Sequence, residues 1–223
     1  MRRGLTALLR RLALLVGRRS PVSDPWERLD VAPQPGHYGP GARPDFSWYF
    51  EGESTVAVGS LGELQAWLAG CSYTTDPDLF HEPDFWQHPR TFEQLRRGDC
   101  EDYALWAWRK LVELGYDADL VVGRCVQESR AGARDVVRHA WVVFRHGGAE
   151  YLFEPVHGDA AHAVRPLAEV RGHYLPEFGV GPDRRRFAFA GYLLYWKRPP
   201  AGRLTRMVGP SSRAVRGGRG SAG

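Results

Sequence analysis

Gly98-Asp99-Cys100-Glu101-Asp102-Tyr103-Ala104-Leu105-Trp106-Ala107-Trp108-Arg109-Lys110-Leu111-Val112-Glu113-Leu114-Gly115 is the stretch on which the fold turns. It predicts a helix with both ends signalled. Asp99 is a strong N-cap residue, and Asp102 three positions on completes a capping box. Ala104, Leu105, Trp108, Leu111 and Val112 recur at helical spacing and make an apolar face. Gly115 ends the run. Cys100 therefore falls at the first helical position, where unpaired N–H groups and the positive end of the helix dipole favour a thiolate. The carboxylates of Asp99, Glu101 and Asp102 oppose it, so an imidazolium would have to tip the balance.

Strands follow this helix. Asp119–Val126 is β-branched and apolar. Arg138–Arg145 alternates, with His139, Trp141 and Val143 on one face and Ala140, Val142 and Phe144 on the other. His146-Gly147-Gly148-Ala149 reads as a hairpin turn and Glu150–Glu154 as the return strand. A last strand is expected over Arg186–Lys197. With a turn of two or four residues, cross-strand partners sum to an odd number. His139 and Glu154 then share a face, directly opposite or on the diagonal. Glu154 can accept from one ring nitrogen of His139 and leave the other for Cys100, which is the orienting role of the third member of a triad. Singly, each residue has a plainer reading: a helix-start cysteine as a small buried hydrophobe, a strand histidine as a satisfied core group. The ordered set of helix-start Cys, strand His and hairpin carboxylate shifts the balance towards chemistry.

Working outward, Ser60 to Gly70 predicts a helix, with Ser60 and Glu63 as a capping box and Leu61, Leu64 and Leu68 in step. Residues 73–90 read as a loop crowded with acids and aromatics. Thr91 to Arg97 reads as a short helix capped by Thr91 and Gln94. Residues 23–50 are rich in Pro and Gly and are expected to wrap the surface. Residues 1–22 form a basic tail. Residues 201–223 form a Gly/Ser/Arg tail of disordered composition. The domain between them spans 23–200.

The totals exclude several classes. The chain has 223 residues, 43% apolar, with eight Trp, enough for one sizeable core. Eleven arginines and no acid in residues 1–20 and 201–223 leave a net charge of −7 on residues 21–200 of a chain whose total is +4. The core is thus not a basic nucleic-acid-binding domain, although the tails could touch anionic surfaces and make the chain peripheral to a membrane. Leu12–Gly17 is too short for a spanning helix or the core of a secretory signal. Cys71, Cys100 and Cys125 are too few for a disulfide scaffold, so reduced thiols in a cytoplasm are expected. Cys71 and Cys125 read as core residues.

The words themselves resemble a family. Phe85-Trp86-Gln87-His88-Pro89, Gly98-Asp99-Cys100-Glu101-Asp102-Tyr103-Ala104, Glu113-Leu114-Gly115-Tyr116, His139-Ala140-Trp141-Val142 and Glu154-Pro155 resemble the bacterial transglutaminase-like cysteine proteinases. These are similar to the calcium-dependent periplasmic proteases that trim biofilm adhesins. The resemblance spans about residues 84–156. It implies Cys100 as nucleophile, His139 as its base and the acid for the leaving amine, and Glu154 as the orienting group. It implies an oxyanion site at the Cys100 backbone N–H with a side chain near Trp86, and a cleft beside Trp86 and Trp141. Asp102 matches the position where the adhesin proteases hold calcium; its plainer role is N-capping, and the reaction itself requires no cofactor. The family's third member is usually Asp where this chain has Glu154, and its adhesin-type members are exported, whereas no clean export signal is read here.

The resulting expectation is an α+β, transglutaminase-like (papain-like) fold in which the nucleophile helix packs on an antiparallel sheet. The expected function is a monomeric, thiol-dependent amide hydrolase or cysteine peptidase working through a thioester on a protein or peptide substrate. Acyl transfer to an amine, and a catalytically silent peptide-binding module on the same fold, are the rivals.

Overall fold

The computed structural model describes residues 24–128, 133–156 and 160–194. The two arginine-rich tails lie outside the described residues. The order of elements is β1 (Arg28–Leu29), α1 (Leu61–Ala69), β2 (Ser72–Tyr73), α2 (Asp76–Leu79), α3 (Pro89–Leu95), β3 (Arg97–Gly98), α4 (Cys100–Glu113), β4 (Asp117–Glu128), β5 (Arg134–His146), β6 (Ala149–Phe153), α5 (Ala160–Ala163), β7 (Val164–Pro166), α6 (Leu167–Val170), β8 (Tyr174–Val180) and β9 (Arg186–Phe189). Seven strands form one antiparallel sheet in the order β1-β9-β8-β4-β5-β6-β7, while β2 and β3 make a separate parallel pair. This is a mixed α and β architecture dominated by an antiparallel sheet, with α4 packed on it.

The alternation along β5 sorts side chains onto two cores. Ala140, Val142 and Phe144 join Ala104, Leu105, Trp108 and Leu111 of α4 on one face. Trp141 and Val143 join Val121, Cys125, Leu152 and the α6 residues Leu167 and Val170 on the other. The β5–β6 turn is two residues, Gly147 and Gly148, at φ of 59° and 79°. Both centres of such a turn need positive φ, which glycine adopts without cost.

Several boundaries differ from the sequence reading. The helix expected over Thr91–Arg97 starts earlier, at Pro89, because His88 caps it by accepting from Arg90 N at 3.1 Å. It stops earlier because Arg96 turns left-handed at φ 50°. The 73–90 loop contains the short helix α2. Residues 23–50 do more than wrap the surface: Tyr38, Phe46 and Tyr49 are buried, Tyr38 donates to Gly179 O at 2.6 Å, and Phe46 meets Trp86 and Trp108 edge-on. The strand from Arg186 ends at Phe189, where the backbone turns so that Gly191 passes against Pro176 O; a Cβ there would sit 2.1 Å from that oxygen. Residues 195–197 of that expected strand lie outside the described residues. The capping of α1 is as expected, with Ser60 Oγ accepting from Glu63 N at 3.2 Å.

The largest departure is α4. An amphipathic helix was expected, yet Glu101 through Leu111 are all buried. The sheet covers one side, and segment 46–58 with α1 and α3 covers the other. Trp106, outside the expected apolar stripe, stacks on Trp67 with centroids 4.1 Å apart. No helix among the described residues is long and apolar enough to cross a membrane.

Candidate active site

Cys100 opens α4, as the capping pattern predicts. Asp99 and Asp102 form the capping box, and Asp99 N donates to Asp102 Oδ2 at 3.3 Å. Asp102 does a second job. Its Oδ1 accepts from Gln87 N at 2.9 Å and its Oδ2 from Gln87 Nε2 at 2.6 Å. This ties the 85–88 segment to the start of α4. Gly98 is what permits the approach, since a Cβ there would lie 2.3 Å from Asp102 Oδ2 and 2.5 Å from Gln87 Nε2.

His139 and Glu154 meet. The β5–β6 register pairs Val142 with Phe153, so the partners do sum to an odd number and Glu154 lies on the diagonal from His139. His139 Nε2 stands 2.9 Å and 2.8 Å from the two Glu154 oxygens. An ionised carboxylate only accepts, so Nε2 carries the proton and Nδ1 is left as the basic nitrogen. Both side chains are buried. Glu154 has further donors: Tyr174 OH at 3.0 Å to Oε2 and Val156 N at 3.4 Å to Oε1. Trp141 packs its ring beside His139 at 6.2 Å and meets Tyr174 edge-on at 5.0 Å.

On β5, the Ala140 amide, next in the chain to His139, is among the groups that act on the Cys100 sulfur. The thiol itself donates to Glu101 Oε2 at 3.1 Å, rather than to His139. Burial pushes the Cys100 thiol well above its ordinary range, and the charges of Glu101 and Asp99 push it further; the Ala140 amide works against them. The described arrangement is therefore a neutral thiol, with burial as its leading cause.

Around the thiol the acids crowd. Carboxylate oxygens of Asp76, Asp84 and Glu101 lie within 4.8 Å of one another, as do those of Asp76, Asp99 and Asp102. Burial raises Asp76 to about 6 and raises Asp99; it raises Glu101 and Asp102 well above the carboxylate range. Asp76 Oδ1 and Asp99 Oδ1 are buried with no hydrogen-bond partner. Oxygen-only donors in this number, two of them with vacant lone pairs, fit a hard divalent cation such as calcium.

Two expected site residues fall elsewhere. Trp86 is 4% exposed and Trp141 0% exposed, so neither offers a ring to a substrate. Trp86 belongs to the α4-side core, packed on Phe46, with its indole nitrogen beside Gly39. Trp141 belongs to the opposite core. The large size that makes tryptophan a good binding platform makes it an equally good core filler. The sequence reading missed Tyr174 and assigned no role to Gln87, although Gln87 lies in the motif words; its expectation that Glu101 opposes a thiolate at Cys100 agrees with the raised thiol. Cys71 and Cys125 are buried, as expected of core cysteines.

No protein-family model matches the chain, and no curated protein matches it. Among solved structures it is similar to LapG of Legionella pneumophila, in an EGTA-treated form, a calcium-bound form and a third structure. Each is 18% identical with a TM-score of 0.38 over 52% of this chain. The chain spans about three-fifths of LapG, 59% to 61%.

Proposed function

We propose that the chain is a thiol-dependent amide hydrolase of the transglutaminase-like kind, with Cys100 as nucleophile, His139 as base and Glu154 as orienter. The observation that carries this reading is the buried His139–Glu154 pair at 2.8 Å, on the strand whose Ala140 amide is among the groups acting on the Cys100 sulfur. A buried histidine bound to a buried carboxylate, with its second nitrogen left basic, is the arrangement a nucleophile needs beside it.

The chemistry follows from those groups. His139 Nδ1 takes the thiol proton as Sγ attacks the carbonyl carbon of a peptide amide. The helix-start N–H groups, Cys100's own among them, would receive the developing oxyanion. The imidazolium returns the proton to the amine nitrogen as the C–N bond breaks, leaving a thioester. Water, deprotonated by His139, attacks the thioester carbon; the C–S bond breaks and the thiol is restored. Glu154 holds the ring throughout and balances the imidazolium charge. Gln87 is not free to serve the oxyanion, because its Nε2 is committed to Asp102 and to Arg97 O at 2.8 Å.

Asp76, Asp84, Asp99 and Glu101 would hold a calcium ion, with Asp102 bracing the site from Gln87. Bound there, calcium would supply the positive charge that the cluster lacks. Glu101, whose carboxyl group accepts a hydrogen bond from the thiol, is the residue that would be drawn from one task to the other. Transfer to an amine in place of water is a second reading.

The test is iodoacetamide labelling of Cys100, followed by mass spectrometry of its peptide, across pH and with either calcium or EDTA. The expected result is fast labelling at neutral pH with calcium, slowed about tenfold or more in His139→Ala. Labelling with a midpoint near the free-thiol value of about 8.5, unchanged in the variant, would sink the reading.

A further inference from the structure

We propose that Tyr174 is a fourth member of the Cys100–His139–Glu154 arrangement, a positioning residue that fixes the Glu154 carboxylate against the imidazole. This rests on the functional reading above and extends it to a residue on a different strand.

The geometry begins with side-chain length. A glutamate at the third position has one more rotatable bond than an aspartate, so its carboxylate needs a second anchor to stay on His139. Tyr174 supplies it: its hydroxyl donates to Oε2 at 3.0 Å, the same oxygen that stands 2.8 Å from Nε2. Oε1 is braced more loosely by Val156 N at 3.4 Å. Both partners are buried, Tyr174 at 7% and Glu154 at 3% exposure, so water does not compete for the bond. The Tyr174 ring is itself gripped edge-on by Trp141 at 5.0 Å. Glu154 is faced by His139 from β5, by Tyr174 from β8 and by Cys125 from β4, with Arg165 of β7 acting on Tyr174. Burial and the Glu154 charge push the Tyr174 hydroxyl well above its ordinary range, so it stays protonated and keeps donating.

A backbone irregularity puts this residue there. Strand β8 pairs Phe178 with Val122 but Pro176 with Gly123, a one-residue slip. Without the slip, Leu175 would stand opposite Cys125 and Tyr174 would point to the α4 side of the sheet. With it, Tyr174 pairs with Cys125 and joins the face that carries His139 and Trp141. Gly123 allows the close approach, since a Cβ there would lie 2.2 Å from Leu175 O. Bulges that re-aim one side chain are found beside active sites.

The experiment measures Cys100 labelling at neutral pH, with calcium, in the full chain and in Tyr174→Phe, Glu154→Asp, the double variant and His139→Ala. Alongside it, the downfield Nε2 proton of His139 is followed by NMR. Tyr174→Phe removes only the hydroxyl. It should slow labelling about tenfold and speed exchange of that proton. Glu154→Asp, which draws the carboxylate back from Tyr174, should slow labelling to a similar extent, and adding Tyr174→Phe should cost less than about twofold more. Should Tyr174→Phe fail to fold, Glu154→Asp decides, and wild-type labelling there overturns the proposal. Unchanged labelling and an unchanged proton in Tyr174→Phe, with His139→Ala still slowed, would show that the tyrosine only fills the core. Wild-type labelling in His139→Ala would instead bring down the Cys–His reading, and this proposal with it.

Discussion

The two ends of helix α4 handle buried charge in opposite ways. At the far end, Arg109 and Lys110 are 3% and 2% exposed, and both are paired. Lys110 Nζ donates to Val56 O at 2.7 Å and Glu113 Oε2 at 2.9 Å, and stands 3.8 Å from Glu93. Glu93 accepts from Thr55 N and Oγ1 at 2.8 Å each, from Trp106 Nε1 at 2.9 Å and from Ser54. Burial alone would raise the Glu93 carboxyl, yet these bonds hold it below its usual range. At the near end, Asp76, Asp99, Glu101 and Asp102 are all raised, burial first, and no cation of the chain is prominent among the influences on them. Buried charge that is compensated serves the fold; buried charge left uncompensated points to something the site is built to receive.

The strongest way to break this comparison is Lys110→Ala. It should cost about 3–5 kcal/mol, because Glu93 is left buried without its cation; urea denaturation measures it. Loss of less than about 1 kcal/mol would mean that the far end is no more than a surface pair. Calcium probes the near end. At a hundred times its dissociation constant it should stabilise the chain by about 2.7 kcal/mol, seen as a higher Tm than in EDTA, and Asp76→Asn should remove most of that gain. Equal Tm values in calcium and EDTA would leave the acid cluster without its ligand.

The smallest expected effect is the pH dependence, and its sign differs between the ends. Asp76 is raised from 3.8 to about 6. Its folded state holds a proton that the unfolded state has lost, so its contribution is complete below pH 4 and disappears as pH rises to about 6. Glu93 is lowered, so its contribution is complete above the ordinary carboxylate range and disappears on acidification. In EDTA, Asp76→Asn should flatten the fall in stability between about pH 4 and 6, measured by thermal denaturation. A slope unchanged by the substitution would place the titrating group elsewhere.

Much of the site was legible because it is local. The capping residues around Cys100 and the odd-sum register of a Gly-Gly hairpin are consequences of spacing, and the register alone puts His139 and Glu154 on one face. The tryptophans were misread because burial is not local. Trp86 and Trp141 look the same in sequence whether they line a cleft or fill a core; segment 38–58 buries Trp86 on the α4 side, while Trp26, Tyr174 and the α6 residues bury Trp141 on the other.

What the sequence alone determined is the helix that opens at Cys100, the two-faced strand carrying His139, and the hairpin that returns Glu154 to it. Each rests on periodicity, capping or turn chemistry within about 15 residues of chain. Only the tertiary structure decided that the thiol rests on Glu101, that Asp76 from another loop joins its acids, and that Tyr174 reaches Glu154. Those contacts depend on packing between segments distant in sequence and on a one-residue slip in β8, and no local pattern records either.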